Sequence, residues 1–223
     1  MPQRTMHLSK LILNPRCREV QRDLSSPYEL HRTLAHAYTT DSGQDYRAQH
    51  QVLFRIEPLS HATALPAVLV QSATAPNWNE LPEAYLMHKP ETKLLVPTFS
   101  VGQTLAFRLL ANPTKKEKRP DRRQGRRIAL PDYAEEDEIT PARGWLVRKG
   151  EQNGFHVLYA TTEAFWLGMD RGRATKNAIP IYGVRYDGLL QVTDPALLTS
   201  ALQSGIGPSK AFGFGMLSLA KPQ

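Results

Sequence analysis

An α+β protein of two tandem sheet-and-helix units is the fold class this sequence predicts. Three observations carry it. Strand-like apolar segments recur in both halves: HLSKLIL, QVLFRIE and AVLVQ in the first, TLAFRLLA and FHVLYAT in the second. Each half also carries a Pro-opened helix start, at Ser26-Pro27 and at Asp194-Pro195. At 223 residues and 41% hydrophobic, the chain is long enough for two packed units of about 100 residues each.

The elements follow in chain order. His7 to Leu13 alternates as a strand, and Asn14-Pro15 ends it. Arg16 to Asp23 reads only as a polar, basic stretch. Ser26 as N-cap, Pro27 in the first turn and Glu29 three residues after the cap predict a helix to about Tyr38, with Leu30, Leu34 and Ala37 on one face. Asp41-Ser42-Gly43 breaks it. Gln51–Glu57 and Ala67–Gln71 read as strands, Trp78–Met87 is ambiguous, and Lys93–Phe99 suits a further strand. This β-α-β-β-β order fits a ferredoxin-like half.

In the second half Thr104–Ala111 reads as a strand, after which Pro113, Pro120 and Gly125 argue against a regular element. Pro131 suits the opening of a helix that ends near Trp145, Leu146 and Val147. Phe155–Thr161 is a strand. Ile179–Tyr186 and Leu189–Thr193 form either one long strand or a hairpin about Asp187-Gly188. Asp194 caps a helix over Ala196–Gln203, and a glycine loop leads to a last strand. The expectation is two ferredoxin-like (RRM-like) domains, 1–95 and 100–223. Neither half shows the base-stacking aromatic pattern of an RNA-binding sheet face, so grooves and loops are the better platforms for RNA.

Composition narrows the class. There is no apolar run of about 18 residues and no signal-peptide core, and the single Cys17 excludes an internal disulfide and a Cys-rich zinc module. A cytoplasmic protein without membrane partners is expected. Lys+Arg exceed Asp+Glu by 28 to 21, a net charge of +7. The excess is concentrated: Lys115, Lys116, Lys118, Arg119, Arg122, Arg123, Arg126 and Arg127 face only Glu117 and Asp121. Such a segment suits a polyanion, nucleic acid first, with a solvated loop as the alternative.

No P-loop, HExxH or G-x-S-x-G motif occurs. The chemistry left is acid–base work. Tyr28 and His31 share a helix face, with Arg16, Arg18 and Arg22 upstream. Histidine, phenol and guanidinium groups suffice to cleave a phosphodiester whose own 2′-hydroxyl is the nucleophile. The same spacing also suits a surface histidine without a role. His7, His36, His50, His61, His88 and His156 read as incidental. In the tail, Gly205, Gly207, Gly213 and Gly215 flank Lys210; close-set amides and a lysine can hold an anion, and glycines can equally serve a turn.

With Arg22-Asp23-Leu24, Tyr28-Glu29-Leu30-His31-Arg32-Thr33-Leu34, Phe107-Arg108-Leu109-Leu110-Ala111-Asn112-Pro113 and the tail Gly205 to Gly215 in view, the sequence resembles the CasE-type CRISPR-associated endoribonucleases, the repeat-processing subunits of type I-E Cascade. The resemblance implies tandem ferredoxin-like domains and metal-independent cleavage of precursor CRISPR RNA at the 3′ base of each repeat hairpin. The products would be a 2′,3′-cyclic phosphate and a 5′-OH, with the mature crRNA retained beside other Cascade subunits and no small-molecule cofactor. It places the catalytic histidine on His31, the helper tyrosine on Tyr28 and a transition-state lysine on Lys176. It implies RNA contacts from Arg16, Arg18, Arg22, Lys115, Lys116, Arg122, Arg123, Arg126, Arg127, Arg173, Gly205, Gly207 and Lys210. A non-catalytic RNA-binding subunit is the alternative.

Overall fold

The computed structural model describes residues 5–39, 45–59, 61, 64–117, 126–133, 139–167, 169–170, 173–174 and 180–222. The first unit runs β1 (Met6–Ile12), α1 (Arg18–Ser25), α2 (Pro27–Ala35), α3 (Tyr46–Gln49), β2 (Leu53–Ile56), β3 (Ala67–Ser72), a 3₁₀ turn at Trp78–Glu80, and β4 (Glu91–Leu95). The second runs β5 (Thr104–Ala111), a two-stranded ribbon of β6 (Thr114–Glu117) and β7 (Arg126–Ala129), α4 (Pro141–Gln152) and β8 (Phe155–Leu167). It continues through β9 (Met169–Asp170), β10 (Arg173–Ala174), β11 (Ile181–Val192), α5 (Pro195–Ser204), a 3₁₀ turn at Lys210–Phe212 and β12 (Leu217–Ala220).

Each unit centres on a four-stranded antiparallel sheet, ordered β2-β3-β1-β4 in the first and β12-β5-β11-β8 in the second. Numbered within its own unit, each sheet has the order 4-1-3-2, the ferredoxin-like arrangement that the sequence predicts. Alternation explains the clearest strand: along β5 every second side chain is buried, and Leu105, Phe107, Leu109 and Ala111 meet Trp145 and Leu146 of α4 and Leu198 and Ala201 of α5 in one core. The first core joins Leu11 and Leu13 to Leu30 and Leu34 of α2 and Val68 and Val70 of β3.

Several expectations change. Arg16–Asp23 contains helix α1, which turns Val20 and Asp23 inward. Ser26 precedes α2 but makes no side-chain cap bond; Glu29 faces Arg22 and Arg32 instead. The helix placed at Pro131 begins at Pro141, where Thr140 caps it by accepting from the Arg143 N–H. The basic segment expected to be irregular forms the β6–β7 ribbon on both sides of residues 118–125, which lie outside the described residues, as does the breaker at 41–43. β11 is one strand through Asp187-Gly188, since its pairing with β5 and β8 runs across both residues. Asp194 caps α5 as expected, accepting from the Ala196 and Leu197 N–H groups.

The units are joined by the tail. Gln71 of β3 donates to the Leu202 carbonyl at 2.6 Å, and buried Arg55 of β2 donates to the Met216 carbonyl at 3.4 Å. An ion-pair ladder crosses the junction: Arg55 pairs Glu57, Glu57 meets Arg108, Arg108 pairs Asp187, and Arg185 joins Asp187 to Glu163. Gly205 lies on Leu53 with φ +73° and ψ 159°, a conformation almost confined to glycine. A Cβ there would stand 2.8 Å from the Leu53 side chain and 3.0 Å from the Gly215 carbonyl.

Two glycines separate backbone strain from crowding. Gly102 has φ +82° but open space at its Cβ, so Gly102→Ala should cost about 1–2 kcal/mol of backbone strain. Gly205→Ala adds a collision at the junction and should cost more, roughly 2–4 kcal/mol, in denaturant unfolding.

Candidate active site and nucleic-acid interface

Helix α2 presents Tyr28 and His31 one turn apart, with ring centroids 6.5 Å apart, on the face that the i, i+3 spacing requires. Tyr28 is 51% exposed and His31 half-buried. Behind His31 stands Tyr46, the first residue of α3, which the Asp45 carboxylate caps by accepting from the Arg47 N–H. The Tyr46 ring stacks on the imidazole at 4.9 Å, and its hydroxyl lies 2.6 Å from His31 Nδ1 and 2.7 Å from the His31 carbonyl. Burial lowers the His31 pKa, Asp45 opposes that and Arg47 adds to it. The ring is therefore neutral at neutral pH, the form that accepts a proton.

The second unit reaches the same place. The Lys210–Phe212 turn packs on α2, and Phe212 sets its ring 6.3 Å from that of Tyr28. Burial, with the like charge of Arg47, pulls the Lys210 pKa below its ordinary value. Arg47 and the opposing Asp45 thus act on a neutral imidazole beside an exposed phenol, and the turn that begins at Lys210 packs on the same helix. That suits proton transfer at an anionic group, since an incoming phosphate lowers the cost of holding Lys210 and Arg47 close together.

On the other side of the same loop lies a recess of about 520 Å³ lined by Lys115, Lys116 and Arg127 of the ribbon, Trp145, Arg148 and Lys149 of α4, and Gly207-Pro208. Among the described residues no carboxylate lines it. Register explains the ribbon's share, because Lys116 pairs with Arg127 across β6 and β7. Residues 145, 148 and 149 stand at i, i+3 and i+4, so α4 turns all three to one side. A concave cationic surface of this kind attracts a polyanion.

The structure thus brings Tyr28, His31 and Lys210 into one place and Lys115, Lys116, Arg127 and Gly207 into another. Arg126 is exposed beside Arg127 on the ribbon, and Arg16 and Arg18 are exposed at the start of α1. The Arg22 guanidinium pairs with fully buried Asp23 at 2.8 Å and donates to Thr33 at 3.0 Å, which holds α1 to α2, while its side chain stays half exposed. Asp23 also accepts from the Tyr85 hydroxyl at 2.7 Å. The glycines are accounted for by packing: Gly207 abuts Trp145, Gly213 abuts Phe54, and Gly215 abuts the Ile206 carbonyl, all with positive φ. Lys176, Arg122 and Arg123 lie outside the described residues, and Arg173 lies in β10. The sequence reading missed Tyr46, Arg47, Arg148 and Lys149. Only the last two had a local signal, their helical spacing from Trp145.

The model of a family described as CRISPR associated protein matches residues 6–221. Among curated proteins, the CRISPR-associated endoribonuclease Cse3 of Thermus thermophilus is 36% identical over 225 residues, covering 96% of this chain and 100% of that protein. The Cascade subunit CasE of Escherichia coli is 31% identical, covering 96% of this chain and 99% of that protein. Among solved structures, Thermus thermophilus Cse3 bound to an RNA representing a pre-cleavage complex superposes with a TM-score of 0.80 at 34% identity, covering 97% of this chain and 99% of that one. Cas6e of Escherichia coli superposes with a TM-score of 0.65 at 28% identity, covering 97% and 100%.

The lowered His31 pKa has a stability consequence with a fixed sign. Above the unfolded-chain value of about 6.5 the ring is neutral in both states and its burial is not penalised. As pH falls through that value the unfolded chain takes up the proton first, so stability drops until the folded-state pKa is passed. His31→Gln should lose less melting temperature than the parent protein between about pH 7 and pH 5, measured by thermal unfolding.

Proposed function

The chain belongs to the CRISPR-associated endoribonuclease family, and from that premise we propose that it binds the repeat hairpin of precursor CRISPR RNA, cleaves it at the 3′ base of the stem and keeps the mature crRNA within a Cascade assembly. The observation that carries this reading is the tail, one short loop that borders the cationic recess at Gly207-Pro208 and the His31 centre at Lys210–Phe212. A duplex held by its phosphates in the recess would lead its flanking strand toward His31.

In the proposed reaction the substrate supplies the nucleophile. The 2′-hydroxyl loses its proton to neutral His31 as the O2′–P bond forms and the P–O5′ bond breaks. The departing 5′-oxygen then takes a proton from the imidazolium, leaving a 2′,3′-cyclic phosphate and a 5′-OH and returning the ring to its starting state. Tyr28, exposed at the mouth, donates to a phosphoryl oxygen, and Lys210 with Arg47 offsets the charge that builds on the crowded phosphorus. No step calls on a metal ion. The stem is recognised through phosphates and shape, because A-form RNA hides its base edges in a deep groove.

Incubation with the cognate repeat hairpin in EDTA should give a single cut with a cyclic-phosphate end. His31→Ala should slow single-turnover cleavage by about 10²–10⁴-fold while hairpin affinity stays within a few-fold. Binding without any cut would leave a non-catalytic RNA subunit as the reading. Arg148→Ala with Lys149→Ala should weaken the hairpin complex and flatten the slope of log affinity against log salt by about one unit per residue lost.

A further inference from the structure

We infer that Tyr46 is a positioning residue that fixes the tautomer of His31, holding the proton on Nδ1 and presenting a bare Nε2 to the substrate. The inference rests on the endoribonuclease reading for what Nε2 does, and on hydrogen-bond counting alone for the tautomer.

Three polar atoms meet behind the catalytic helix: the Tyr46 hydroxyl oxygen, His31 Nδ1 at 2.6 Å from it and the His31 carbonyl oxygen at 2.7 Å. The phenol has one proton to give. Burial, with the neighbouring Tyr38 and Asp45, pushes its pKa far above the usual tyrosine value, so that proton stays in place. The carbonyl can only accept. If Tyr46 donated to Nδ1, the carbonyl and phenol oxygens would face each other at 2.7 Å with no hydrogen between them, both largely removed from water. If Tyr46 donates to the carbonyl, the phenol oxygen is left to accept and Nδ1 must carry the hydrogen. Only the second assignment places a proton in both short contacts.

The neutral ring then has its lone pair on Nε2, the nitrogen turned away from Tyr46. Ring stacking at 4.9 Å keeps the imidazole in that orientation, and Phe54 lies nearly parallel to it at 6.5 Å and 10°. A hydrogen-bonded partner on one nitrogen that sets the protonation of the other is a general device for orienting histidine. Here the partner is a phenol rather than a carboxylate. It fixes the tautomer without adding a negative charge, so it does not raise the imidazole pKa as an adjacent carboxylate would.

The tautomer is readable in the RNA-free protein from long-range ¹H–¹⁵N spectra of ¹⁵N-histidine-labelled protein at a pH where the ring is neutral, with His31 assigned by its loss in His31→Asn. The expected pattern is protonated Nδ1 and bare Nε2 in the parent protein. In Tyr46→Phe, which keeps the stacked ring, the pattern should move toward protonated Nε2. Single-turnover cleavage at saturating hairpin should then fall about 10–100-fold with hairpin affinity unchanged. A protonated Nε2 in the parent protein overturns the inference, and so does a Tyr46→Phe protein that cleaves at the parent rate. If the parent protein fails to cut the hairpin, the endoribonuclease reading falls, and the spectrum still decides the tautomer.

Discussion

The close seat of the glycine-rich tail, Gly205 on Leu53 and Gly213 on Phe54, is the contact on which the rest of the arrangement depends. It brings the second unit's Lys210–Phe212 turn against the first unit's helix α2. Without it Tyr28 and His31 would lie on an isolated helix face, and the cationic recess would have no fixed relation to them. Several weak constraints converge to hold it. The glycines accept positive φ, Ile206 donates to the Gly215 carbonyl at 2.8 Å, and Gly215 donates to the Leu110 carbonyl at 2.7 Å. The loop is thus stitched to itself and to β5 before it touches the other unit.

Charge is handled differently in the two places where it collects. At the sheet junction every guanidinium has a carboxylate neighbour, from Arg55 and Glu57 through Arg108 and Asp187 to Arg185 and Glu163. The ladder is close to neutral and serves cohesion. In the recess the lysines and arginines share a wall that, among the described residues, holds no acid, and elsewhere Lys210 sits near Arg47 with its charged form disfavoured. Uncompensated like charges raise the energy of the empty protein locally, and a polyanion relieves that penalty on arrival. The same contrast separates Arg22, which pairs with the buried Asp23 carboxylate, from Arg127, which lines the recess.

Legibility in the sequence followed what each element buries. β5 and α5 were readable because apolar alternation and an Asp-Pro cap are local signals. Helix α1 was not, because its apolar positions Cys17, Val20 and Leu24 are few and interrupted by Arg18, Glu19 and Arg22, and the group turned inward at position 23 is a carboxylate. The β6–β7 ribbon escaped for the opposite reason: Lys115, Lys116, Arg126 and Arg127 are all exposed, so no face alternates. Tyr28 and His31 were found as a pair since one helical turn joins them. Tyr46 was not, because it meets His31 only through the tertiary fold, fifteen positions along the chain.

The brevity of the tail loop has a geometric consequence. Gly207 borders the recess and Lys210 begins the turn beside His31, and three residues of chain reach no further than about 11 Å even when extended. Ser209, in the left-handed region, shortens that reach. If the proposed duplex is gripped on one side of the loop, only the linkage just past its end would come within reach for reaction. On the proposed function this spacing acts as a caliper: the bond cut would be set by its distance from the helical stem, and a strand of any base sequence emerging at the same point would be presented alike.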